Sequence, residues 1–431
     1  MNLAEIENWV VDGRTKGMPA GTAPLRLGDI GARGWSILSG ELPLPVAVIR
    51  ESALASNSCW MRAYLEHSGA RIAPHGKTTM APQLFARQIE DGAWAITVAT
   101  VQQLKVARDF GVGRALLANQ LAGEAEIGYV LGELRRDPSF QFSCFVDSAD
   151  NVAELAAATR AASPGRPLEV LVELGFAGGR AGCRTQDEAL AVARAVKAAS
   201  PHLALRGVAG FEGLFSGATP DETAAAVARY LDFIAEVAEA ADAAGVFADG
   251  PAILTAGGSG FFDIVVDRLS RVRLSRPVEV VIRSGCYLTH DGHMYRDLFA
   301  KLAERHPDLA ALGPGLLPAL QVWARVQSRP EPGKAILTVG KRDISYDVHL
   351  PEPTLWRRDG MATPAAIPPG HRVTGLNDQH CHMALPAGSP LKVGDRVAFE
   401  ISHPCTTFDK WQLIYVVDDR WHVVGAVKTF F

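Results

Sequence analysis

Hydrophobic positions between residues 45 and 290 follow two alternating patterns. Short apolar runs are typical of buried strands, and the longer alanine-rich segments between them place apolar residues at i, i+3 and i+4, as amphipathic helices do. The strand-like runs are PVAVI, RIAP, AWAITVA, RALLAN, FSCFVD, LEVLVEL, LRGVAGFEG, AILTAGG and VEVVIRSG. Strands that alternate with helices form parallel sheets with helical crossovers. About eight such units predict an α/β fold, a closed (β/α)8 TIM-like barrel in preference to an open doubly wound sheet.

The pattern changes after residue 315, where β-rich runs are separated by Pro and Gly. These runs include QVWARVQSRP, KAILTVGKRDISYDVHL, LKVGDRVAFEISH and WQLIYVVDDRWHVVGAV. They predict a separate C-terminal all-β domain. We therefore expect an N-terminal segment, 1–44, that packs on the β domain, a barrel over 45–300, and a β domain over 301–431 that holds any metal site.

Composition and charge exclude several classes of partner. The chain has 431 residues, 48% of them hydrophobic and 21% charged, with a formal net charge of -4. Without a basic block, neither nucleic acid nor an anionic membrane is an expected partner, so we expect a small-molecule substrate. The N-terminus lacks the apolar core of a signal peptide or membrane span, which predicts a cytoplasmic protein. Six cysteines are too few for a disulfide scaffold in so long a chain and are expected to be reduced.

Lys77 is the first candidate for chemistry, in the stretch RIAPHGKTTMAP. It follows a predicted barrel strand, and catalytic groups of such barrels lie at the carboxyl ends of the strands. A lysine that is partly desolvated there can form a Schiff base with a carbonyl compound. The ordinary alternative is a solvated loop lysine, and this residue alone does not decide between them.

Two glycine-rich loops follow the last two predicted barrel strands, TAGGSGFFD with Gly258 and Ser259, and RSGCY with Gly285, Cys286 and Tyr287. Backbone N–H groups in such loops can bind an anion, and this position is the usual phosphate site of the fold. Either loop by itself could be only a turn. The occurrence of both at consecutive strands favours a phosphate site.

Other polar residues follow the remaining strands. Arg180, in LGFAGGRAGCR, could bind a phenolate or carboxylate in the barrel mouth, or could be a surface arginine in a turn. Asn119, Gln120, Asp147 and Glu212 are expected to line the same mouth, with helix capping or loop hydrogen bonding as the alternative. For Asp147 the alternative is preferred.

The predicted β domain contains two His/Cys clusters, NDQHCHMA and ISHPCTTFDKW. In an extended segment, His403 and Cys405 would point to the same face and could share a metal ion, for which thiolate plus imidazole favours zinc. His380 could add a third ligand or act as an acid or base. The HCH segment, with Cys381 and His382, could equally be a packed strand end.

In this order, from about Pro45 to Trp411, these motifs resemble the D-serine dehydratase and D-threonine aldolase group of pyridoxal-phosphate enzymes, which share the alanine racemase fold. PHGKT is similar to the element whose lysine binds the cofactor covalently, which implies that role for Lys77. GGRAG resembles the segment whose arginine contacts the phenolic oxygen of the cofactor, which implies Arg180.

The resemblance extends to the loops and to the predicted β domain. AGGSG and SGCY are similar to the phosphate-binding loops, which implies cofactor binding by Gly258, Ser259, Gly285, Cys286 and Tyr287. HPC resembles the element that holds zinc or another divalent ion, implying His403 and Cys405 as ligands. NDQHCHM stands where relatives have a Glu-Glu-His-Gly-like turn, which implies a catalytic His380.

The chain also departs from the pattern of the group. Phe211 stands where relatives commonly have Tyr, which removes a possible hydrogen bond to the cofactor ring. Thr79 and Met80 replace a more polar or basic pair, so the substrate pocket is expected to differ. Alanine racemases of the same fold lack the His-x-Cys pair, which argues against simple racemisation.

The resemblance implies a lyase that requires pyridoxal 5'-phosphate and a divalent metal, and that converts D-serine or a similar β-hydroxy D-amino acid to a 2-oxo acid and ammonia. HPCTTFDKW is similar to bacterial members described as amino-acid deaminases. The alternatives are a D-threonine-type aldolase or a racemase on the same scaffold, and a non-catalytic cofactor-binding protein. The resemblance also implies a homodimer.

Overall fold

The computed structural model describes residues 1–431 and contains twenty strands and eleven α-helices. The strands are β1 (Val10–Val11), β2 (Leu25–Arg26), β3 (Val46–Arg50), β4 (Arg71–Ile72), β5 (Ile96–Val98), β6 (Arg114–Gln120), β7 (Gln141–Val146), β8 (Leu168–Glu173), β9 (Leu203–Ala209), β10 (Ala252–Ala256), β11 (Val278–Ile282), β12 (Leu320–Glu331), β13 (Lys334–Leu337), β14 (Glu352–Arg357), β15 (Ala365–Ala366), β16 (Arg372–Leu376), β17 (Cys381–Ala384), β18 (Arg396–Glu400), β19 (Leu413–Val417) and β20 (Val423–Lys428). The helices are α1 (Ala4–Glu7), α2 (Glu51–Ser68), α3 (Pro82–Glu90), α4 (Val101–Asp109), α5 (Glu124–Arg136), α6 (Ala149–Ala162), α7 (Gln186–Ala198), α8 (Pro220–Ala243), α9 (Phe262–Leu269), α10 (Met294–Arg305) and α11 (Cys405–Phe408).

The chain folds into two compact units. The first, called the barrel unit, consists chiefly of Arg62–Lys77 and Gln88–Gly285. The second, called the β unit, consists of Asn2–Met61, Thr78–Arg87 and Cys286–Phe431. Both units are therefore discontinuous in sequence, whereas the predicted domains were continuous segments.

The barrel unit contains an eight-stranded parallel sheet in the order β4-β11-β10-β9-β8-β7-β6-β5. Its two end strands are joined by backbone hydrogen bonds from Trp94 N to Ile72 O (2.7 Å) and from Thr97 N to Pro74 O (2.9 Å). These bonds close the sheet into a ring. One buried side chain from each strand or its immediate flank fills the interior: Ala73, Ala95, Leu116, Phe145, Leu171, Ala209, Ile253 and Val281. The predicted parallel barrel is confirmed.

Helix boundaries in the barrel unit follow capping chemistry. The N-cap side chains of α4, α6, α7 and α8 each accept a hydrogen bond from the backbone N–H three residues on; these caps are Thr100, Ser148, Thr185 and Thr219. Such bonds satisfy N–H groups that have no partner within the helix. They fix where each helix begins after its strand and loop. No helix of the chain is both long and apolar enough to cross a membrane.

The expectation that PVAVI is a barrel strand is wrong. This run forms β3, which pairs antiparallel with β12, Val46 opposite Trp323, and parallel with β19. All of Val46–Ile49 are buried, and a continuously apolar run fits any sheet that is covered on both faces. The pattern of the run therefore identified a strand correctly but could not specify the sheet it joins.

The β unit confirms the predicted C-terminal all-β region. Its main sheet has the order β15-β14-β18-β12-β13-β17-β16, extended by β3, β19 and β20. Residues before β3 belong to this unit as well: the Tyr415 hydroxyl donates a hydrogen bond to Gly17 O at 3.0 Å, and Lys16 Nζ lies 2.8 Å from Asp343 Oδ1. The core of the unit includes the fully buried Trp323 and Trp411.

Candidate functional site

Lys77 lies immediately beyond β4, in a one-turn 3-10 helix, Gly76–Thr78. Pro74, two residues after the strand, has no N–H to donate to the sheet, although its carbonyl still accepts from Thr97 N at 2.9 Å. The Lys77 side chain is exposed. Its position at the carboxyl end of a barrel strand is the one predicted from the sequence.

His75 is influenced by charged side chains at the carboxyl-end face of the barrel strands, which is called here the barrel mouth. Burial, and then the positive charges of Lys77, Arg283 and Arg180, hold the pKa of His75 well below its usual value. Its Nδ1 is buried and has no hydrogen-bond partner. The charges of Lys77 and Arg180 therefore both act on His75, whose imidazole stays neutral at physiological pH.

Arg180 lies in a loop that is fastened at its base. Cys183 N donates to Glu173 O (2.8 Å), and Gly182 N donates to the Asp147 carboxylate (2.9 Å). The preferred interpretation of Asp147, loop hydrogen bonding, is thus confirmed. The guanidinium of Arg180 is exposed and lies over the Phe211 ring, 5.1 Å from its centroid. Phe211, the departure noted in the sequence, thus supports the arginine through a cation–π contact.

The first glycine loop is organised by Glu212. This buried carboxylate accepts hydrogen bonds from Gly257 N (2.8 Å) and Gly258 N (2.7 Å). The Gly258 N–H is therefore occupied by a protein anion in this structure. The two glycine loops are joined as predicted for a common site, since the Ser284 hydroxyl donates to Gly258 O at 3.0 Å.

Sequence reasoning missed two charged residues of the mouth, Arg283 and Glu173. The guanidinium of Arg283 is buried and donates to Thr255 Oγ1 (2.7 Å) and Gly210 O (2.6 Å). Glu173 is buried and accepts from Gln120 Nε2 at 2.6 Å, and burial raises its pKa. Arg283 directly precedes the SGCY loop and Glu173 is the penultimate residue of a predicted strand, so their positions in the sequence were a usable signal.

The donor set of the barrel mouth fits an anionic aromatic cofactor. Lys77 offers an amine, Arg180 an accessible guanidinium, and the buried His75 Nδ1 lacks a partner. A side chain at Gly258 would approach Phe211 to 3.2 Å, so glycine keeps this part of the mouth open. Because Gly258 N is bound to Glu212, a phosphate group would rely on other N–H groups of the two loops.

In the β unit, Cys405 lies at the centre of a cluster called here the thiol cluster, formed by Thr78, Cys286, His403 and Cys405. Cys405 Sγ lies 3.9 Å from Cys286 Sγ and 3.6 Å from Thr78 Oγ1. Hydrogen bonds from Cys286 and His403 hold the pKa of Cys405 well below its usual value, although burial opposes this. These contacts favour the thiolate form of Cys405.

The His403 to Cys405 segment is not extended, contrary to expectation. Pro404 adopts a helical conformation (φ -56°, ψ -46°) and α11 begins at Cys405. The two side chains nevertheless meet, and their hydrogen bond is the main cause that raises the pKa of His403 to about 9. Proline fixes φ at a value that suits the start of a helix as well as a strand, which explains the error.

His403 has a further partner that the sequence did not indicate. Its Nδ1 lies 2.7 Å from Asp347 Oδ2, and the same carboxylate accepts from the Thr406 hydroxyl at 2.7 Å. Asp347 precedes His403 by 56 residues, so no local pattern connects them.

His380 and His382 lie in the hairpin formed by β16 and β17. His380 is exposed, and no hydrogen bond of its side chain is present. His382 Nε2 lies 2.6 Å from Asn377 Oδ1 within the same hairpin. The structure thus assigns His382 a local structural contact.

The thiolate of Cys405 and the imidazole of His403 are donors that suit zinc. No group of three or more His, Cys, Asp or Glu side chains is arranged as a metal-binding cluster. The pair fits a site in which the protein supplies two ligands.

Family models match both parts of the chain. The alanine racemase N-terminal domain matches residues 49–265, and the "Putative serine dehydratase domain" matches residues 319–417. The first match covers seven of the eight strands of the parallel barrel, β4 to β10, and the second covers most of the predicted β domain.

Two relatives are similar over most of their length. A D-threonine aldolase from Arthrobacter sp. is 26% identical over 381 residues, which is 87% of this chain and 89% of that protein. A D-threo-3-hydroxyaspartate dehydratase from Delftia sp. (strain HT23) is 26% identical over 377 residues, 85% of this chain and 92% of that protein.

Solved structures share the fold. D-threonine aldolase from Filomicrobium marinum has a TM-score of 0.73 at 23% identity, covering 94% of this chain and 98% of that one. Mutants of D-threo-3-hydroxyaspartate dehydratase, each 21% identical over 92–93% of this chain and 97–99% of theirs, have TM-scores of 0.69 and 0.67. One replaces a histidine, and the other, in the metal-free form, replaces a cysteine two positions further along. With the barrel match over residues 49–265, this chain belongs to the family that shares the alanine racemase N-terminal domain, here followed by a serine dehydratase-type domain.

Proposed function

We propose that the protein is a pyridoxal-phosphate- and metal-dependent lyase that converts D-serine or a similar β-hydroxy D-amino acid to a 2-oxo acid and ammonia. One observation carries the proposal: the Cys405 thiolate lies 3.6 Å from the hydroxyl of Thr78, the residue directly after Lys77 in the chain. A candidate metal ligand thus contacts the residue that follows the candidate cofactor lysine in the sequence.

The cofactor would be held by the barrel mouth and its loops. Lys77 would bind it covalently and Arg180 would pair with its phenolic oxygen. The loops would bind its phosphate through Ser259, Gly285, Cys286 and Tyr287, because the N–H of Gly258, the fifth predicted residue, is bound to Glu212. When bound, it supplies an electron sink for the negative charge that develops at Cα. The Lys77 amine would remove the Cα proton, and such base catalysis contributes roughly 10²–10⁴-fold.

The metal would be held by His403 and Cys405, and we expect zinc. A bound divalent ion supplies Lewis-acid chemistry at oxygen. The dehydratase mutants support this assignment, because the mutated histidine and cysteine of that protein have the same His-x-Cys spacing. His380 is the proposed acid or base that assists departure of the hydroxyl group. His75 stays neutral because of its burial, so it would not repel the positively charged side chains around it.

The second candidate function is a D-threonine-type aldolase, which is favoured by the Arthrobacter relative. Both reactions begin with a β-hydroxy D-amino acid, but they differ in the bond that breaks. Loss of the Cα proton and the β-hydroxyl as water, followed by hydrolysis of the resulting enamine, gives a 2-oxo acid and ammonia. Cleavage of Cα–Cβ gives glycine and an aldehyde. The cysteine in the metal pair favours the dehydratase, because a cysteine mutant of the dehydratase relative is described in the metal-free form.

Product analysis tests the proposal. The purified protein, supplied with cofactor and zinc, is incubated with D-serine, D-threonine and D-threo-3-hydroxyaspartate, with and without EDTA. We expect 2-oxo acid and ammonia, lost on chelation and restored by zinc. Glycine and an aldehyde as products would show that the protein is an aldolase and not a dehydratase. Absence of turnover of all three substrates would refute both proposed functions. The homodimer and the cytoplasmic location stay predictions, the first of which size-exclusion chromatography with light scattering can check.

A further inference from the structure

We propose that Asp347 is the positioning residue that orients His403 as a metal ligand. The inference rests on the proposed function, because it assumes that His403 binds the metal. Both oxygens of the Asp347 carboxylate contact side chains of one turn, residues 403–406. Oδ2 lies 2.7 Å from His403 Nδ1, and Oδ1 accepts a hydrogen bond from the Thr406 hydroxyl at 2.7 Å.

The segment that carries Asp347 is held against this turn by bonds that do not involve Asp347. Ser345 N donates to Thr407 Oγ1 at 3.0 Å, and Ser345 Oγ accepts from His403 N at 3.2 Å. Further along, Trp411 Nε1 donates to Asp343 O at 2.8 Å. The backbone that carries Asp347 is therefore held in place independently of the Asp347 carboxylate. Removal of the carboxylate should leave this segment in place.

The geometry selects one ring nitrogen of His403 for the metal. When Nδ1 carries the proton and donates it to Asp347, the lone pair is on Nε2, which becomes the ligand atom. The same bond fixes the plane of the ring. Histidine ligands in metal sites commonly have a carboxylate partner of this kind, and its mutation typically weakens metal binding roughly 10–100-fold.

The test measures zinc affinity by competition with a chromophoric chelator, using the full chain loaded with cofactor. Asp347→Asn should weaken zinc binding roughly 10–100-fold. Asp347→Glu keeps the carboxylate and should recover part of the affinity. Asp409→Asn is the matched control, because Asp409 lies next to α11, carries the same charge and is 40% exposed, compared with 41% for Asp347. The control should bind zinc as the unmodified protein does.

A second readout is the visible spectrum of the cobalt-substituted protein, which reports ligand geometry without any turnover. Asp347→Asn should shift the d–d bands, and Asp409→Asn should not. If Asp347→Asn fails to fold by circular dichroism, Thr406→Val removes only the second contact of the carboxylate and should still weaken zinc binding several-fold.

The possible failures are distinguishable. Zinc affinity and cobalt spectrum unchanged in Asp347→Asn, or in Thr406→Val where that variant is needed, overturn the role of Asp347 and leave the proposed function intact. An unmodified protein that binds no zinc in this assay overturns both the metal-dependent function and the role of Asp347.

Discussion

The barrel mouth and the thiol cluster satisfy their charged groups in opposite ways. In the barrel mouth, Glu212 accepts from two backbone N–H groups and Arg283 donates to a backbone carbonyl and a buried hydroxyl. In the thiol cluster, Cys405 is stabilised by the side chains of Cys286, His403 and Thr78. Backbone groups cannot rearrange without moving the fold, whereas side chains can. We therefore expect the barrel mouth to determine stability and the thiol cluster to adapt to a ligand.

The largest expected effect is the loss of activity when Lys77 in the barrel mouth is replaced. Lys77→Ala removes the proposed covalent anchor and base, so activity should fall by roughly 10²–10⁴-fold or more. The visible absorbance of the bound cofactor should disappear as well. The control Lys105→Ala removes an exposed lysine that pairs with Asp109 and should retain both properties. Colour that survives in Lys77→Ala and can be reduced with borohydride would assign the cofactor to another lysine.

The next effect tests the contrast between the two regions directly. Glu212→Gln replaces a buried acceptor of two N–H groups with an amide that offers only one accepting oxygen, so the free energy of unfolding should fall by roughly 2–3 kcal/mol. Cys405→Ser, in the thiol cluster, should change the stability of the metal-free protein by less than about 1 kcal/mol. Urea denaturation measures both.

The exposed Glu154→Gln is the control for the loss of a charge. If Cys405→Ser destabilised the metal-free protein as much as Glu212→Gln does, the contrast between the two regions would be wrong.

The Arg180 loop provides a purely conformational test within the barrel mouth, in which the measured effect is the difference between two glycine variants. Gly182 has φ +95°, and a Cβ there would lie 2.5 Å from the backbone carbon of Leu174. Gly178 also has a positive φ, +75°, but a Cβ would meet no atom within 4 Å. Gly178→Ala should therefore cost only the left-handed backbone penalty of about 1–2 kcal/mol, and Gly182→Ala about 2 kcal/mol more. Equal urea midpoints for the two variants would contradict this account of the loop.

The last effect, which is smaller per pH unit than the effects above, is a pH dependence in the β unit. Burial lowers the pKa of His290 to about 4, whereas in the unfolded chain it is about 6.5. Between these values the unfolded chain binds a proton that the folded chain does not. The free energy of unfolding should thus fall with falling pH, by up to about 1.4 kcal/mol per pH unit for this residue.

His290→Gln should reduce this slope between pH 6.5 and 4. The control His422→Gln replaces a histidine whose side chain is 53% exposed and should leave the slope unchanged. An identical slope in the unmodified protein and in His290→Gln would show that His290 is protonated in the folded state.

The barrel mouth was largely predictable because its residues follow strands in a fixed order. The carboxyl ends of parallel strands in a barrel meet at one face, so the sequence alone places Lys77, Arg180 and the two glycine loops together. The engagement of Gly258 N by Glu212 could not be predicted, because it depends on how two neighbouring loops bend towards each other.

The thiol cluster was predictable only in part. The His-x-Cys pair was visible as a local pattern, but its extended conformation was predicted wrongly. Asp347 and Thr78 reach the cluster from distant parts of the sequence, and no periodicity connects them.

The sequence by itself determined the strand and helix pattern, the order of the chemical motifs and the β-rich C-terminal region, because these follow from local periodicity and from the chain order of a barrel. The tertiary structure decided which sheet β3 joins, which hydrogen bonds Glu212 and Arg283 make, and which side chains surround Cys405. These outcomes depend on pairing and burial between distant segments. The free energy of such contacts depends on residues that become neighbours only in the folded protein. A local sequence pattern does not contain this information.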